Sequence, residues 1–101
     1  MNYSPSDLSH EGKLAIEQGY SHRCPYSIHN QQRVSNLITD IDDERISYKA
    51  IAIDYREEAL KYTIEPLNWE WLYISGREIE YFFKSKEELE EEIKSMLDDL
   101  G

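Results

Sequence analysis

Residues 69–100 read WEWLYISGREIEYFFKSKEELEEEIKSMLDDL and carry the strongest structural signals in the chain. Residues 69–74 are apolar or aromatic on both faces, which is typical of a central strand that is covered on both sides. The pair 75–76, Ser-Gly, predicts a turn. One face of the next segment then carries Ile79, Tyr81 and Phe83, which alternate with Glu78, Glu80 and Lys84 as in a half-buried strand. The first part of this stretch therefore predicts two strands joined by a turn.

The second part of the stretch predicts a helix over residues 85–100. Ser85 and Glu88 have the spacing of a capping box, which marks a helix start. Glu90 and Lys94 lie one turn apart and can form an ion pair. The apolar residues of the segment share one helical face: Leu89, Ile93, Met96, Leu97 and Leu100. We expect this face to pack across the sheet, which leaves the acidic face outside.

Strand patterns extend from this stretch toward the N-terminus. Residues 60–65 alternate strictly between apolar and polar side chains, and residues 66–68 form a turn signal. Residues 46–55 predict a further strand, although their alanines also permit a helix from about residue 44 to 58. Together with the two strands described above, these patterns predict a four-stranded antiparallel meander.

The N-terminal third predicts two short helices. Residues 4–7, Ser-Pro-Ser-Asp, have the composition of a helix start, and Gly19 fits a helix end. Residues 20–29 have no period and predict a loop, after which Asn30 can cap a second helix with one apolar face over residues 34–41. The sequence therefore predicts an α+β fold in a single domain over residues 1–101, with a helical part at 5–41 and a sheet plus C-terminal helix at 46–100.

Charge is distributed unevenly along the 101 residues. The net charge is −10, and residues 1–39 contribute nothing to it because they hold three acids and three bases. Residues 40–101 carry the whole excess. An acidic protein surface repels phosphate backbones and anionic lipids, so we do not expect the protein to bind nucleic acid or membranes directly. A basic protein is the electrostatic complement; alternatively, the charge serves solubility alone.

The single cysteine, Cys24, excludes an internal disulfide, and no apolar run approaches the roughly 20 residues that span a bilayer. The first residues do not resemble a secretion signal, so the expected location is cytoplasmic. His22, Cys24 and His29 are the one cluster of soft ligands, but their spacing does not match a structural zinc site. We therefore predict no catalytic, cofactor-binding or metal-binding residues, with a metal protein or enzyme centred on Cys24 as an alternative.

One segment is similar to a known family. Residues 15–20 end in Gly-Tyr, residues 24–26 are Cys-Pro-Tyr, and residues 30–33 are Asn-Gln-Gln-Arg. This order over residues 15–38 resembles ribosome modulation factor. The resemblance implies a helix–loop–helix shape and an association with the ribosome, in which Arg23 and Arg33 are the candidate contacts.

The main functional hypothesis is a small, non-catalytic regulatory or inhibitor protein that binds a basic surface on another protein. By analogy, phage-encoded inhibitors of nucleic-acid machinery have this character. The aromatic residues of the sheet provide either core or an exposed interface, including one between two copies of this chain. The predicted partner-binding residues are Glu87, Glu88, Glu91, Glu92, Asp98, Trp69 and Trp71.

Overall fold

The computed structural model describes residues 5–21, 23–52, 71–80 and 84–100. A short 3-10 helix, Ser9–Glu11, precedes the regular elements. The strands and helices, numbered here in chain order, are β1 (Leu14–Tyr20), α1 (Pro25–Ile41), β2 (Ile46–Ala52), β3 (Trp71–Ile74), β4 (Arg77–Glu78) and α2 (Lys86–Asp99). The fold is α+β, as predicted, with a four-stranded sheet.

The sheet is mixed, and the predicted antiparallel meander is wrong. The strand order is β2-β1-β3-β4, with β1 parallel to β2 and antiparallel to β3. The parallel pair is possible because α1 carries the chain from the end of β1 back to the start of β2. The predicted strand over residues 60–65 and the turn after it lie outside the described residues, as do Tyr81 and Phe83.

β1 replaces the first predicted helix. The backbone of Gly12 is left-handed, with φ of 72°, and ends the 3-10 helix there. Residues 14–19 are then buried without a break, because β1 lies between two neighbouring strands and is covered on both faces. A strand buried on both faces has no period of two, so its apolar residues resembled a helical stripe.

α1 begins six residues earlier than predicted, because its N-cap is Cys24 and not Asn30. Cys24 is extended, with φ of −106° and ψ of 115°, as expected for a residue before proline. Pro25 occupies the first helical turn, where its missing N–H costs nothing. The loop predicted for residues 20–29 is therefore wrong over its second half. The inward face over residues 34–41 is confirmed, because Val34 and Leu37 are buried.

Three of the remaining predicted elements are confirmed where the structure describes them, but the strand predicted over residues 79–83 is wrong at residues 79–80, because the pairing with β3 ends at Glu78. Residues 46–52 are a strand, which resolves the alternative between strand and helix over those positions. Ser75 and Gly76 have φ of 52° and 80°, which are the signs of a type I′ turn, and they join β3 to β4 in a tight hairpin. α2 follows with its predicted bounds almost unchanged.

α1 and α2 pack on the same face of the sheet. One core cluster joins their apolar residues to those of β1 and β3: Leu14, Ile16, Val34, Leu37, Leu72, Ile74, Ile79, Leu89, Ile93 and Leu97. α1 therefore does not cover the second face of the sheet, where the Ser6 N–H donates a hydrogen bond to the Glu17 carboxylate at 2.6 Å. Side chains alternate along a strand, so this second face presents Glu17 opposite Tyr73 and Gly19 opposite Trp71.

Candidate protein-binding surface

The N-terminus of α2 is fixed by the predicted capping box. The Ser85 hydroxyl accepts a hydrogen bond from the Glu88 N–H at 3.1 Å, and the Glu88 carboxylate accepts one from the Ser85 N–H at 3.3 Å. These bonds satisfy two donors that would otherwise have no partner at the helix start. Glu88, one of the predicted partner-binding residues, is therefore already engaged in holding its own helix.

The predicted apolar stripe of α2 is confirmed. Leu89, Ile93 and Leu97 are buried in the core, and Met96 and Leu100 pack at its margin. This packing leaves Glu87, Glu91 and Asp98 exposed. Because α2 is held at its cap and along its whole inner face, the exposed carboxylates sit on a rigid support.

Three ion pairs neutralise part of the charge around α2. Lys84 Nζ lies 3.3 Å from Glu92 Oε2, and Lys94 Nζ lies 3.0 Å from Glu90 Oε1. A third pair links the two helices, because Lys86 Nζ lies 3.3 Å from Asp40 Oδ2 on α1. Glu92 was predicted to face a partner, but its charge is already matched within the chain.

Glu87, Glu91 and Asp98 form what we call the carboxylate row. Glu87 and Glu91 are one turn apart, about 6 Å along the helix axis. None of the three forms an ion pair with another described residue. Lys94 comes seven residues after Glu87 and so lies on the same helical face, between Glu91 and Asp98. The negative charge of the row is therefore greatest over the first two turns of the helix.

The C-terminal end of α2 is anchored by a residue that sequence reasoning missed. The Arg45 guanidinium donates a hydrogen bond to the Leu97 carbonyl at 3.1 Å and pairs with Asp43 at 2.8 Å. Hydrogen bonds from Arg45 lower the pKa of Asp43 to about 2. The same pairing, with a contribution from Asp98, raises the pKa of Arg45. No local sequence pattern predicts this anchor, because Arg45 and Leu97 are far apart in the chain.

The structure describes one of the two tryptophans that were predicted to bind a partner. Trp69 lies outside the described residues. Trp71 is 3% exposed and packs over Gly19, and its ring centroid lies 5.3 Å from that of Tyr73. Its side chain therefore contributes to the interior of the second face and not to an open aromatic patch. A homodimer through the aromatic residues stays a prediction.

The soft ligands near Cys24 are placed as follows. Cys24 is a partly buried free thiol directly before α1, His29 is exposed on α1, and His22 lies outside the described residues. Within the described ranges, no group of three or more histidine, cysteine, aspartate or glutamate side chains is arranged to hold a metal ion.

The helix that the ribosome modulation factor resemblance implies before Gly19-Tyr20 is strand β1. Arg23 is exposed and Arg33 is partly buried, and ribosome association stays a prediction.

No protein-family model, curated protein or solved structure matches the chain. Among the residues that the structure describes, no helix has the length and apolar character to cross a bilayer.

Proposed function

We propose that the protein is a small, non-catalytic regulator or inhibitor that docks on a basic surface of another protein through the carboxylate row. The observation that carries the proposal is the exposure of Glu87, Glu91 and Asp98 on a helix that is fixed at both ends. A rigid row loses little conformational freedom on binding, which favours affinity. The net charge of −10 adds long-range attraction to a basic partner.

The partner class that fits this row best is a protein whose basic groove normally receives nucleic acid. Carboxylates at regular intervals on one helix face present negative charge to such a groove much as a phosphate backbone does. Binding of this kind would make the protein a competitive inhibitor, which is the mode suggested by analogy with phage-encoded inhibitors. The expected location, with its basic nucleic-acid-binding partners, is the cytoplasm.

Affinity capture with matched charge variants tests the proposal. The wild-type protein and the variant E87K/E91K are immobilised and exposed to a lysate of the native source. The control variant E78K/E80K changes the net charge by the same amount at two exposed carboxylates outside α2. We expect basic proteins to be captured by the wild type and the control, released by salt and by added DNA or RNA, and lost from E87K/E91K. Equal capture by E87K/E91K and the control would refute the role of the row.

A further inference from the structure

The outer edge of β2 is a second surface with the properties of a binding site. β2 is the first strand in the order β2-β1-β3-β4, so β1 is its one neighbour in this sheet. The Leu14 N–H donates to the Arg45 carbonyl at 2.9 Å, which fixes the phase of the ladder. Because consecutive residues of a strand alternate in the direction of their N–H and C=O groups, Tyr48 and Ala50 direct theirs away from β1.

Among the strands that the structure describes, none pairs with this edge. Ser47, Lys49, Ala50 and Ala52 are exposed, although they belong to a seven-residue strand. Edge strands of this length pair readily with an additional strand, and proteins commonly block them with charges or proline. Lys49 is the one charged residue of β2, and its side chain lies on the sheet face opposite the helices. The backbone of the edge is therefore accessible to an incoming strand.

A pocket of about 540 Å³ lies where the edge begins, lined by Ile38, Asp42, Asp43, Glu44 and Ile46. Ile38 and Ile46 form its apolar part. Asp43 is committed to Arg45, but Asp42 and Glu44 are exposed and form no ion pair with the residues that the structure describes. An open, largely acidic pocket with two isoleucines in its lining suits the apolar stem and charged head of an arginine or lysine side chain.

We propose that β2 accepts an extended segment of a basic protein as a fifth strand, with an arginine or lysine of that segment in the pocket. Backbone hydrogen bonds to Tyr48 and Ala50 supply the attachment, and the pocket supplies the preference for a basic residue. A second copy of the chain is a poor occupant, because two molecules of net charge −10 repel each other. The inference shares with the proposed function the requirement for a basic partner, but it uses a different surface.

The test uses a short, end-blocked peptide of alternating threonine and valine with arginine at both ends. Its twin carries N-methyl groups on consecutive backbone amides, so it can pair with β2 through neither of its two edges. Binding to the full-length protein is followed by two-dimensional NMR. We expect the first peptide to shift the amide signals of β2 and to slow hydrogen exchange at Tyr48 and Ala50. The N-methylated twin should bind at least about tenfold more weakly, which corresponds to the loss of one or two hydrogen bonds.

Protein variants separate the contributions of backbone and pocket. A50P removes an outward N–H that β1 does not use, and A50V is its matched control. D42N/E44Q removes the free charge of the pocket rim. We expect A50P to weaken peptide binding about tenfold relative to A50V, and D42N/E44Q to weaken the arginine peptide but not a peptide with glutamine at both ends.

Three results would overturn the inference: equal binding of the N-methylated twin, equal binding by A50P and A50V, or dimerisation of the free protein through β2. The comparison of the two peptides on wild-type protein decides the question even where A50P does not fold. E87K/E91K should bind the peptide as E78K/E80K does, since the two variants have the same net charge, so failure of the edge and failure of the carboxylate row are distinguished.

Discussion

The contact between Gly19 and Trp71 allows a quantitative prediction about side-chain packing on the second face of the sheet. The two residues are opposite each other in the antiparallel pairing of β1 with β3. A Cβ placed on Gly19 would lie 2.7 Å from Trp71 Nε1 and 2.8 Å from Trp71 Cζ2, with Trp71 Cε2 also in contact. No side chain is accommodated at those distances, so Gly19 is required by the position of the indole.

The size and sign of the effect follow from this geometry. G19A should destabilise the protein by about 1–3 kcal/mol, because the added methyl group forces a buried tryptophan out of place. W71A should cost about 3–5 kcal/mol, since it removes a large side chain that is 3% exposed. In the W71A background the new methyl group has room. Gly19 does not have positive φ, so G19A should there be neutral or stabilising by about 0.4–1 kcal/mol.

A double-mutant cycle measures this change of sign. The free energy of unfolding of the wild type, G19A, W71A and the double variant is obtained from urea titrations followed by far-UV circular dichroism, which does not depend on the tryptophan that is removed. The reasoning predicts a coupling free energy of at least about 1 kcal/mol between the two positions. Equal destabilisation by G19A in both backgrounds would refute the packing of Trp71 on Gly19.

Three further predictions concern the supports of the fold. S85A removes the helix cap and should lower the free energy of unfolding by about 1 kcal/mol in urea titrations. Hydrogen bonds from Arg45 lower the pKa of Asp43 in the folded state from its ordinary value of 3.8 to about 2. The stabilising effect of Asp43 is therefore complete above about pH 4–5 and is lost as the pH falls toward 2. D43N should make the free energy of unfolding less dependent on pH over that window. Y48F removes the hydroxyl that donates a hydrogen bond to the side-chain amide oxygen (Oε1) of the buried Gln18 at 2.7 Å, and it should lower the free energy of unfolding by about 1–3 kcal/mol in thermal or urea unfolding.

Matched controls make these three predictions specific. S95A changes an exposed serine of the same helix that caps nothing and should leave stability within about 0.5 kcal/mol. Y26F changes a tyrosine that is 81% exposed and should have no measurable effect. A loss in S95A equal to that in S85A, a D43N profile parallel to that of the wild type, or similar losses in Y48F and Y26F would contradict the respective arguments.

The sequence predicted those elements whose signals are local. The capping box and apolar stripe of α2 lie within sixteen consecutive residues, 85–100, and the Ser75-Gly76 turn requires only two residues with positive φ. The prediction failed at β1, where a helix-start motif precedes apolar residues that are buried on both faces. Its neighbours in the sheet are distant in sequence, so no local pattern specified the strand or its parallel partner.

The candidate site was predictable to a similar extent. Helical period placed Glu87, Glu91 and Asp98 on the outer face of α2 correctly. The anchor from Arg45 was not predictable, because it depends on how separate segments come together, and the pairing of Glu92 with Lys84 depends on the path of the chain just before the helix cap. The open edge of β2 was also not predictable from the sequence, because it depends on the strand order, which no local sequence pattern specifies.

The most direct measurement of the central claim is the salt dependence of binding to a captured partner. Dissociation constants of the wild type, E87Q/E91Q and the control E78Q/E80Q are measured over a range of salt concentrations by isothermal titration calorimetry. Docking through an exposed row of charges predicts steep weakening with salt for the wild type and the control, and a clearly shallower slope with weaker binding at low salt for E87Q/E91Q. Identical slopes for all three proteins would contradict the account.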